Sequence, residues 1–285
     1  PPLLFSGSRR RALGVLFSSP ACGVLPSGPA APGRLADPAD IVDAVERRLA
    51  AAGRHDAGGP LAGRRVLVTA GGTREPIDAV RFVGNRSSGR MGYAVAEAAR
   101  ARGADVVVVT ANVDLPRDPH VRYVDAPTAA EMHHACLAEF GRADLLVMVA
   151  AVADYRPLAA ADGKIDKSRA GSMTVPMERT ADILADLSAR RDRQVLVGFA
   201  AEHGPGGLER ARDKRRRKGL DLLVFNDAAV DGAAFEGPDN VITILGPGDA
   251  EQALPRMTKR ECAERILDAA TPLLAGVPDE VPTGA

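Results

Sequence analysis

The sequence predicts an α/β domain with a doubly wound, mostly parallel sheet, helices on both of its faces and a late antiparallel strand. Near-continuous apolar runs rich in β-branched residues, such as Ala104 to Ala111, alternate with helical patterns, such as Arg90 to Arg102. Strands without polar alternation are buried on both faces, which is typical of a parallel sheet covered by helices. The fold class is therefore Rossmann-like.

The predicted elements follow one another with short connections. The late antiparallel strand is expected over Val241 to Leu245, and an amphipathic helix over Thr258 to Leu274 closes the domain. The parallel strands are expected at Arg65–Ala70, Ala104–Ala111, Val121–Ala126, Asp144–Ala151, Gln194–Ala200 and Leu220–Asn226, and the helices at Arg90–Arg102, Thr128–Phe140, Asp182–Arg190 and Leu208–Lys218.

The first 60 residues differ from the rest in composition. They are rich in Ala, Pro, Gly and Ser and carry one helical pattern, Asp40 to Ala51. We therefore expect a remnant at 1–51, a linker at 52–60, the main domain at 61–275 and a flexible tail at 276–285. Arg9 to Arg11 before an apolar stretch could also be interpreted as an export signal.

Composition excludes several classes of function. Lys plus Arg and Asp plus Glu both number 37 in 285 residues, so no overall positive field favours nucleic acid or an anionic membrane. No apolar run is long enough to span a membrane. The three cysteines lie far apart without CxxC spacing, which argues against a disulfide framework or a thiolate metal site. We expect a cytoplasmic protein that binds anions locally.

The loop after the first parallel strand carries candidate anion-binding residues. Gly71 and Gly72 permit close backbone approach, but the GxGxxG spacing of a dinucleotide site is absent, so NAD is not the expected ligand. The run Ser87-Ser88-Gly89-Arg90-Met91-Gly92 begins a helix, whose free N–H groups could receive a phosphate or carboxylate. A capped helix start with a glycine packed on the sheet explains the same pattern.

Three further loops are polar at strand or helix ends. Asp154 follows the fourth parallel strand, and Lys164 comes ten residues later. The two side chains could bind a nucleotide ring and its triphosphate, or they could form an exposed salt bridge. A third loop follows Gly198 to Glu202. The five cations Lys214 to Lys218 indicate either an anion site or a solvated helix face. All these loops should meet at the carboxyl edge of the sheet.

The ordered set of motifs resembles a known family. TREPID, VRF, GNRSSGRMG, AAVADYR, KIDK, VGFAAE, KRRRKGLD and LVFND follow the order seen in the synthetase domain of the bifunctional coenzyme A biosynthesis protein of bacteria, from Leu61 to about Leu274. The resemblance implies phosphopantothenoylcysteine synthetase activity. CTP and 4′-phosphopantothenate would give an acyl-cytidylate and pyrophosphate, and L-cysteine would then form the amide and release CMP.

The resemblance also implies roles for individual residues. Asn85 matches the asparagine that handles the acyl-cytidylate, and Lys164 matches the catalytic lysine at the nucleotide phosphates. Mg²⁺ would be held mainly by CTP phosphates, so no carboxylate metal cage is expected. Relatives read Lys-Asn-Pro-Asp-Ile at Arg179 to Ile183, so this chain lacks that proline, and we expect Thr180 to cap the helix. The residues expected to bind CTP are Asp154, Lys164, Ala181, Asp182, Ile183, Leu184, Phe199, Lys214 and Lys218, and those expected to bind phosphopantothenate are Arg81, Asn85, Ser88, Gly89 and Ala151.

The N-terminal region resembles the tail of the flavin-dependent decarboxylase that precedes the synthetase in the bifunctional protein, which favours a remnant over an export signal. The family's active-site cysteine position falls at Ser27, and Cys22 lies in a different context. We therefore expect neither FMN nor decarboxylase activity on this chain. A separate flavin decarboxylase is an expected partner, and the family resemblance implies a homodimer.

Two other functions stay open at this point. A short-chain NAD(P) oxidoreductase fits the fold but needs a Tyr-x-x-x-Lys pair, whereas Tyr93, Tyr123 and Tyr155 are followed four residues later by Glu97, Pro127 and Ala159. A nucleotide-sensing module could bind CTP at the same loops without chemistry.

Overall fold

A computed structural model describes residues 59–166, 172–202, 204–227 and 239–276, together with 21–25, 28–34, 42 and 237. The chain divides into two compact units, Pro1–Asp56 and Ala57–Ala285. In the first, β1 (Ala21–Leu25) pairs antiparallel with β2 (Gly28–Arg34). This pair was not predicted, because β2 is Gly, Ala and Pro apart from its last residue. The helix expected at 40–51, except residue 42, and the tail at 277–285 lie outside the described residues.

The second unit contains the main sheet, three short strand pairs and the helices around them. Its strands are β3 (Arg65–Gly71), β4 (Arg74–Pro76), β5 (Phe82–Gly84), β6 (Asp105–Ala111), β7 (Arg122–Asp125), β8 (Leu145–Met148), β9 (Tyr155–Pro157), β10 (Met177–Arg179), β11 (Val195–Glu202), β12 (Leu222–Asp227), β13 (Asp239–Asn240), β14 (Ile242–Leu245), β15 (Glu251–Ala253) and β16 (Met257–Thr258). Its α-helices are α1 (Arg90–Ala101), α2 (Ala129–Phe140), α3 (Ile183–Ala189), α4 (Gly207–Arg217) and α5 (Lys259–Ala270), with 3₁₀ turns at Pro247–Asp249 and Thr271–Gly276.

The main sheet has eight strands in the order β15-β14-β12-β11-β8-β3-β6-β7. The six strands from β12 to β7 are parallel, and β14 runs antiparallel to β12. The predicted Rossmann-like fold with a late antiparallel strand is therefore confirmed. Strand order reverses between β3 and β8, and ligands of such sheets bind outside the strand ends at this reversal.

Helices cover both faces of the sheet. On one face α1 and α5 bury Tyr93, Val95, Ile266 and Leu267 against alternate residues of the strands. On the other face Met132 of α2, Leu187 of α3 and Ala211 of α4 pack against the residues between them. Both faces of each central strand are therefore buried, which explains the unbroken apolar runs in the sequence.

Local capping chemistry fixes where the helices begin. Thr128 and Thr258 form capping boxes with Glu131 and Glu261 at the starts of α2 and α5. The expectation that Thr180 caps α3 is wrong: Asp182 is the N-cap, and its side chain accepts from Ala185 N. A carboxylate near the helix start is favoured by the helix dipole.

Candidate active site

Two loops at the reversal point are tied together by backbone and threonine contacts. The hydroxyl of Thr69 on β3 accepts from Ala150 N at 3.1 Å, and that of Thr73 accepts from Ala153 N at 2.9 Å. Gly72 lies so close to the next loop that a Cβ there would meet Asn85 O at 2.6 Å. The glycine predicted to approach a ligand therefore makes room for the backbone at Asn85.

The first cleft, of about 490 Å³, opens beside the ends of β8 and β11 and the start of α3. Every residue expected to bind CTP, except Lys164, lines this cleft. Its lining is Met148, Ala150, Val152, Asp154, Tyr155, Arg179, Thr180, Ala181, Asp182, Ile183, Leu184, Phe199, Lys214 and Lys218. Although Ala181 replaces the proline of relatives, this segment still forms part of the cleft wall.

The basic run at the end of α4 is divided between two faces of the helix. Lys214 and Lys218, four residues apart, both line the first cleft. Lys214 Nζ donates to Phe199 O at 2.9 Å, and Lys218 Nζ donates to Asp182 Oδ1 at 2.8 Å. Arg216 instead pairs with Asp213 at 2.7 Å. The cations lie in the last turn of the helix, where the helix dipole favours positive charge.

Burial alone would raise the pKa of Asp182, but hydrogen bonds from Lys218 and Ala185 N and the charges of Lys218 and Lys214 lower it by more. The carboxylate therefore stays ionised at neutral pH. Its partners include the two lysines that line the cleft, so the cleft already carries one anion between its cations.

The second cleft, of about 580 Å³, lies at the start of α1. Gly89 caps this helix in the left-handed region, with φ 74° and no side-chain cap, and Asn85 Nδ2 donates to Val152 O at 2.9 Å. The cleft contains every residue expected to bind phosphopantothenate except Arg81. Its lining is Gly71, Asn85, Arg86, Ser87, Ser88, Gly89, Arg90, Met91, Gly92, Val149, Ala150, Ala151, Val152, Asp154, Phe199, Ala200, Ala201, Lys214, Asn226, Asn240 and Lys259.

Only one part of the alternative interpretation of the SSGRMG run is confirmed, because a glycine packs on the sheet but the helix start has no side-chain cap. A Cβ on Gly92 would meet Ala70 Cβ at 2.6 Å and Thr69 O at 2.9 Å, so this glycine packs α1 tightly on β3. Close packing and a helix start open to the cleft thus coexist in one segment.

The two clefts share one wall, formed by Ala150, Val152, Asp154, Phe199 and Lys214. Three of these residues follow β8, and the other two come from β11 and α4. Ligands in the two clefts would therefore meet at this wall.

Arg81 and Lys164 line neither cleft, but their loops lie together. Arg81 Nη1 donates to Asp78 Oδ2 at 2.9 Å, and Asp78 Oδ2 also accepts from Ile165 N at 3.1 Å. Asp78 Oδ1 accepts from the backbone of Val80 and Arg81. The buried carboxylate of Asp78 therefore joins the loop of Arg81 to the segment that presents the exposed Lys164.

Sequence reasoning missed several lining residues. Arg179 and Thr180 adjoin the expected segment, and that adjacency could have indicated them. Asn226, Asn240 and Lys259 come from three separate elements, β12, β13 and α5, and belong to no common motif. The TREPID motif also has a structural component, since buried Glu75 accepts from Ala129 N at the start of α2.

Within the described ranges no group of three or more His, Cys, Asp or Glu side chains is placed to hold a metal ion. Cys136 and Cys262 are free and buried, and burial raises the pKa of their thiols to about 12 and about 11. These two thiols are therefore protonated at neutral pH and poor nucleophiles. Among the residues that the structure describes, none of the helices could span a lipid bilayer.

Residues 61–273 match the family described as DNA/pantothenate metabolism flavoprotein C-terminal domain. The chain belongs to this family. The resemblance inferred from the motifs is confirmed, because the matched domain is the phosphopantothenoylcysteine synthetase part of the bifunctional protein.

Individual members of the family show how far the similarity extends. The chain is 44% identical over 279 residues to the coenzyme A biosynthesis bifunctional protein CoaBC of Mycobacterium tuberculosis (strain ATCC 25618 / H37Rv), covering 94% of this chain and 65% of that protein. It thus spans just under two thirds of this relative. A crystal structure of the C-terminal domain of a CoaBC protein is 37% identical, with a TM-score of 0.66, and covers 76% of this chain and 99% of that one.

Another relative carries a different name. A cysteine/cysteine sulfinic acid decarboxylase from an unknown prokaryotic organism is 39% identical over 273 residues, which cover 93% of this chain and 75% of that protein.

Proposed function

We propose that this chain is a phosphopantothenate–cysteine ligase of coenzyme A biosynthesis. CTP and 4′-phosphopantothenate form an acyl-cytidylate with release of pyrophosphate, and L-cysteine then forms the amide with release of CMP. The activity resides in residues 61–275, with 1–51 a decarboxylase remnant and 52–60 a linker.

The observation that carries this proposal is the shared wall of the two clefts. The residues expected for CTP line one cleft, those expected for phosphopantothenate line the other, and Lys214 belongs to both linings. Acyl transfer needs the carboxylate and the α-phosphate in contact, because holding two reactants together removes much of the entropic barrier. Two adjoining clefts supply that arrangement.

In the activation step the carboxylate oxygen attacks the α-phosphorus of CTP, and the bond to pyrophosphate breaks. Lys214 and Lys218 stabilise the negative charge that develops on the phosphate oxygens. To reach the phosphates, Lys218 either gives up its hydrogen bond to Asp182 or contacts Asp182 and a phosphate at the same time. The resulting acyl carbon carries CMP as a leaving group.

In the second step the cysteine amine attacks this carbon. Asn85 lies at the second cleft with its amide nitrogen on Val152 O, so its side-chain oxygen and second N–H remain to orient the acyl group. The C–O bond to CMP breaks as the C–N bond forms, and the proton that the amine loses passes to water.

Magnesium fits the first cleft as a partner of the nucleotide phosphates. Asp154 lines both clefts, and its side chain makes no hydrogen bond or ion pair with another described residue, so its carboxylate is available as an oxygen ligand. The ion would neutralise part of the triphosphate charge when bound.

We further propose a cytoplasmic homodimer that cooperates with a separate flavin decarboxylase. In support of the dimer, Val80 and Phe82, on either side of Arg81, are 63% and 51% exposed. A second subunit covering them would bring a protein surface to Arg81, which lines neither cleft of its own chain.

The test is incubation with CTP, Mg²⁺, 4′-phosphopantothenate and cysteine, scored for CMP and the amide product by mass. A ligase releases pyrophosphate only when phosphopantothenate is present. CTP binding without any release would identify a nucleotide-sensing module and overturn the proposal. Oxidation of added NADPH, followed by absorbance, would identify an oxidoreductase. Release of CO₂ from cysteine would instead favour the activity named for the decarboxylase relative.

A further inference from the structure

Positive charge gathers at the part of the second cleft that the first cleft does not share. Lys259 lines this part and is only 6% exposed. Its Nζ donates to Gly237 O and, at 3.2 Å, to Asn240 Oδ1. Both acceptors are neutral, and across the described ranges no acid forms an ion pair with this ammonium group. A buried cation without an ionic partner is costly.

Two helix starts add to this charge. Lys259 is the first residue of α5, and Arg90, which also lines the cleft, is the first residue of α1. Helix N-termini carry partial positive charge, so both positions disfavour cations. Burial and the charge of Arg90 hold the pKa of Lys259 below its ordinary value, although Cys262 and Asp239 act in the opposite direction. The arrangement is one that a bound anion would stabilise.

A second, independent observation points to a ligand in the same cleft. Asn226, at the end of β12, lines it and is 8% exposed. Its Oδ1 is buried and has no hydrogen-bond partner. A side-chain amide offers a donor or an acceptor according to how it is turned, so Asn226 can contact either a phosphate oxygen or a hydroxyl. Buried polar atoms are normally paired, and a ligand would supply the missing partner.

We propose that Lys259 binds the terminal 4′-phosphate of the substrate, beside the helix start already expected to bind phosphopantothenate, and that Lys259 makes the enzyme select phosphopantothenate over free pantothenate. This inference rests on the proposed function. The substrate's carboxylate must reach the shared wall to react with CTP, and its phosphate lies at the opposite end of the molecule. The unshared part of the cleft, where Lys259 lies, is therefore the place for the phosphate.

The matched variants are Lys259→Met, which removes the charge at similar volume, and Lys259→Arg, which keeps it. Arg122→Met, which removes an exposed cation from β7, is the control. In Lys259→Met the KM for 4′-phosphopantothenate should rise about 10- to 100-fold, as expected for losing a charge-assisted hydrogen bond. The KM values for CTP and cysteine should stay within about twofold, and Lys259→Arg should recover most of the loss.

The same kinetics show whether the phosphate that Lys259 binds belongs to phosphopantothenate or to CTP. If Lys259→Met weakens CTP and leaves phosphopantothenate unchanged, the site serves the nucleotide and the inference is wrong. If neither KM changes in the folded variant, Lys259 has only a structural role, which also overturns it.

A binding measurement separates this inference from the ligase proposal. Inorganic phosphate should raise the Tm of the unaltered protein, Lys259→Arg and Arg122→Met, but not of Lys259→Met. If phosphate stabilises the proteins in this pattern but the unaltered protein has no ligase activity, the anion site is supported and the proposed function is rejected. Ligase activity with equal phosphate stabilisation of all four proteins would reject the site alone.

Hydrogen exchange on the unaltered protein tests the same site without relying on a folded variant. 4′-Phosphopantothenate should protect peptides that contain Gly89–Gly92 and the start of α5, and free pantothenate at the same concentration should not. Protection of the α1 peptide without the α5 peptide would exclude a contact with Lys259.

Discussion

Lys218 Nζ lies 2.8 Å from Asp182 Oδ1, so the end of α4 is joined to the N-cap of α3 across the first cleft. The same carboxylate accepts from Ala185 N. One acid therefore both begins a helix and holds a lysine that we assign to the nucleotide phosphates. A nucleotide must compete for this lysine or extend the existing pair.

The first prediction concerns the two lysines that line the first cleft. Lys214→Ala and Lys218→Ala should each raise the KM for CTP about 10-fold or more, because each loses a charge-assisted contact, while the KM for cysteine changes little. Arg217→Ala is the matched control, since Arg217 belongs to the same basic run, is exposed and lines neither cleft. Steady-state kinetics with each substrate varied in turn provide the measurement. Equal effects on both substrates would indicate a structural role for the run.

The second prediction concerns Asn85. Asn85→Asp removes the donor to Val152 O and places a negative charge beside an anionic intermediate. Amide formation should slow by roughly 10²- to 10³-fold, while pyrophosphate release in the first turnover survives. A single-turnover assay with cysteine, quantifying acyl-cytidylate by mass, should show the intermediate accumulating. A folded variant that makes no intermediate would assign Asn85 to activation or substrate binding.

The third prediction tests the packing of α1 on β3. Gly92→Ala places a Cβ against Ala70 and Thr69, so the helix must shift, and overpacking of this kind costs about 1–3 kcal/mol. Gly141→Ala at the end of α2 is the control, because its Cβ meets nothing within 4 Å. Urea unfolding should show a lower free energy of unfolding for Gly92→Ala than for the unaltered protein, and an unchanged free energy of unfolding for Gly141→Ala. Equal stabilities would contradict the close approach.

The fourth prediction follows from the pKa of Asp78. Burial raises this pKa, but backbone hydrogen bonds from Val80, Arg81 and Ile165 and the charge of Arg81 lower it by more, so that the pKa lies below its ordinary value. An acid with a lowered folded-state pKa stabilises the fold above its ordinary pKa, and this contribution is lost as pH falls through the folded value.

Asp78→Asn should therefore be less stable than the unaltered protein by a constant amount between about pH 5 and 7, with the gap narrowing below about pH 4. Urea unfolding of both proteins across this range measures the gap. A gap that is unchanged down to pH 3 would show that the carboxylate's charge is not what stabilises the loop.

The fifth prediction tests the proposed dimer. If Arg81 acts in the partner's cleft, Arg81→Ala and Lys214→Ala subunits, each impaired alone when CTP is kept below the KM of Lys214→Ala, should complement after co-expression. Half the dimers of an equal mixture would be mixed, each with one intact site, which gives about a quarter of full activity. Light scattering establishes the oligomeric state. Mixed dimers without activity would place Arg81 and Lys214 in the site of one subunit.

The main sheet was predictable because burial on both faces leaves unbroken apolar runs such as Ala104 to Ala111. Strands of two or three residues, such as β4 and β13, offer no such pattern, since two residues cannot show periodicity. The N-cap of α3 was placed at Thr180, two residues early, because both Thr180 and Asp182 are good caps and only the path of the chain decides between them.

The lining of the candidate site could be predicted from the sequence only where its motifs are local. Helical spacing alone places Lys214 and Lys218 on one face, and the structure has both in the cleft. Asn226 and Lys259 could not be predicted as site residues, because neither belongs to a local motif. Their place in the cleft follows only from the packing of separate segments in the fold. Arg81 and Lys164 were expected beside the substrates but line neither cleft. Asp78, which joins their loops, depends on a contact 87 residues along the chain.

The wall common to both clefts also bears on inhibition. A compound with one group for each cleft, joined by a short linker past Phe199 and Lys214, would bind its second group intramolecularly. The effective concentration of a short linker can reach the millimolar range, so two weak fragments could combine into one tight ligand without any new contact. Fragments found separately for the two clefts are therefore candidates for linking.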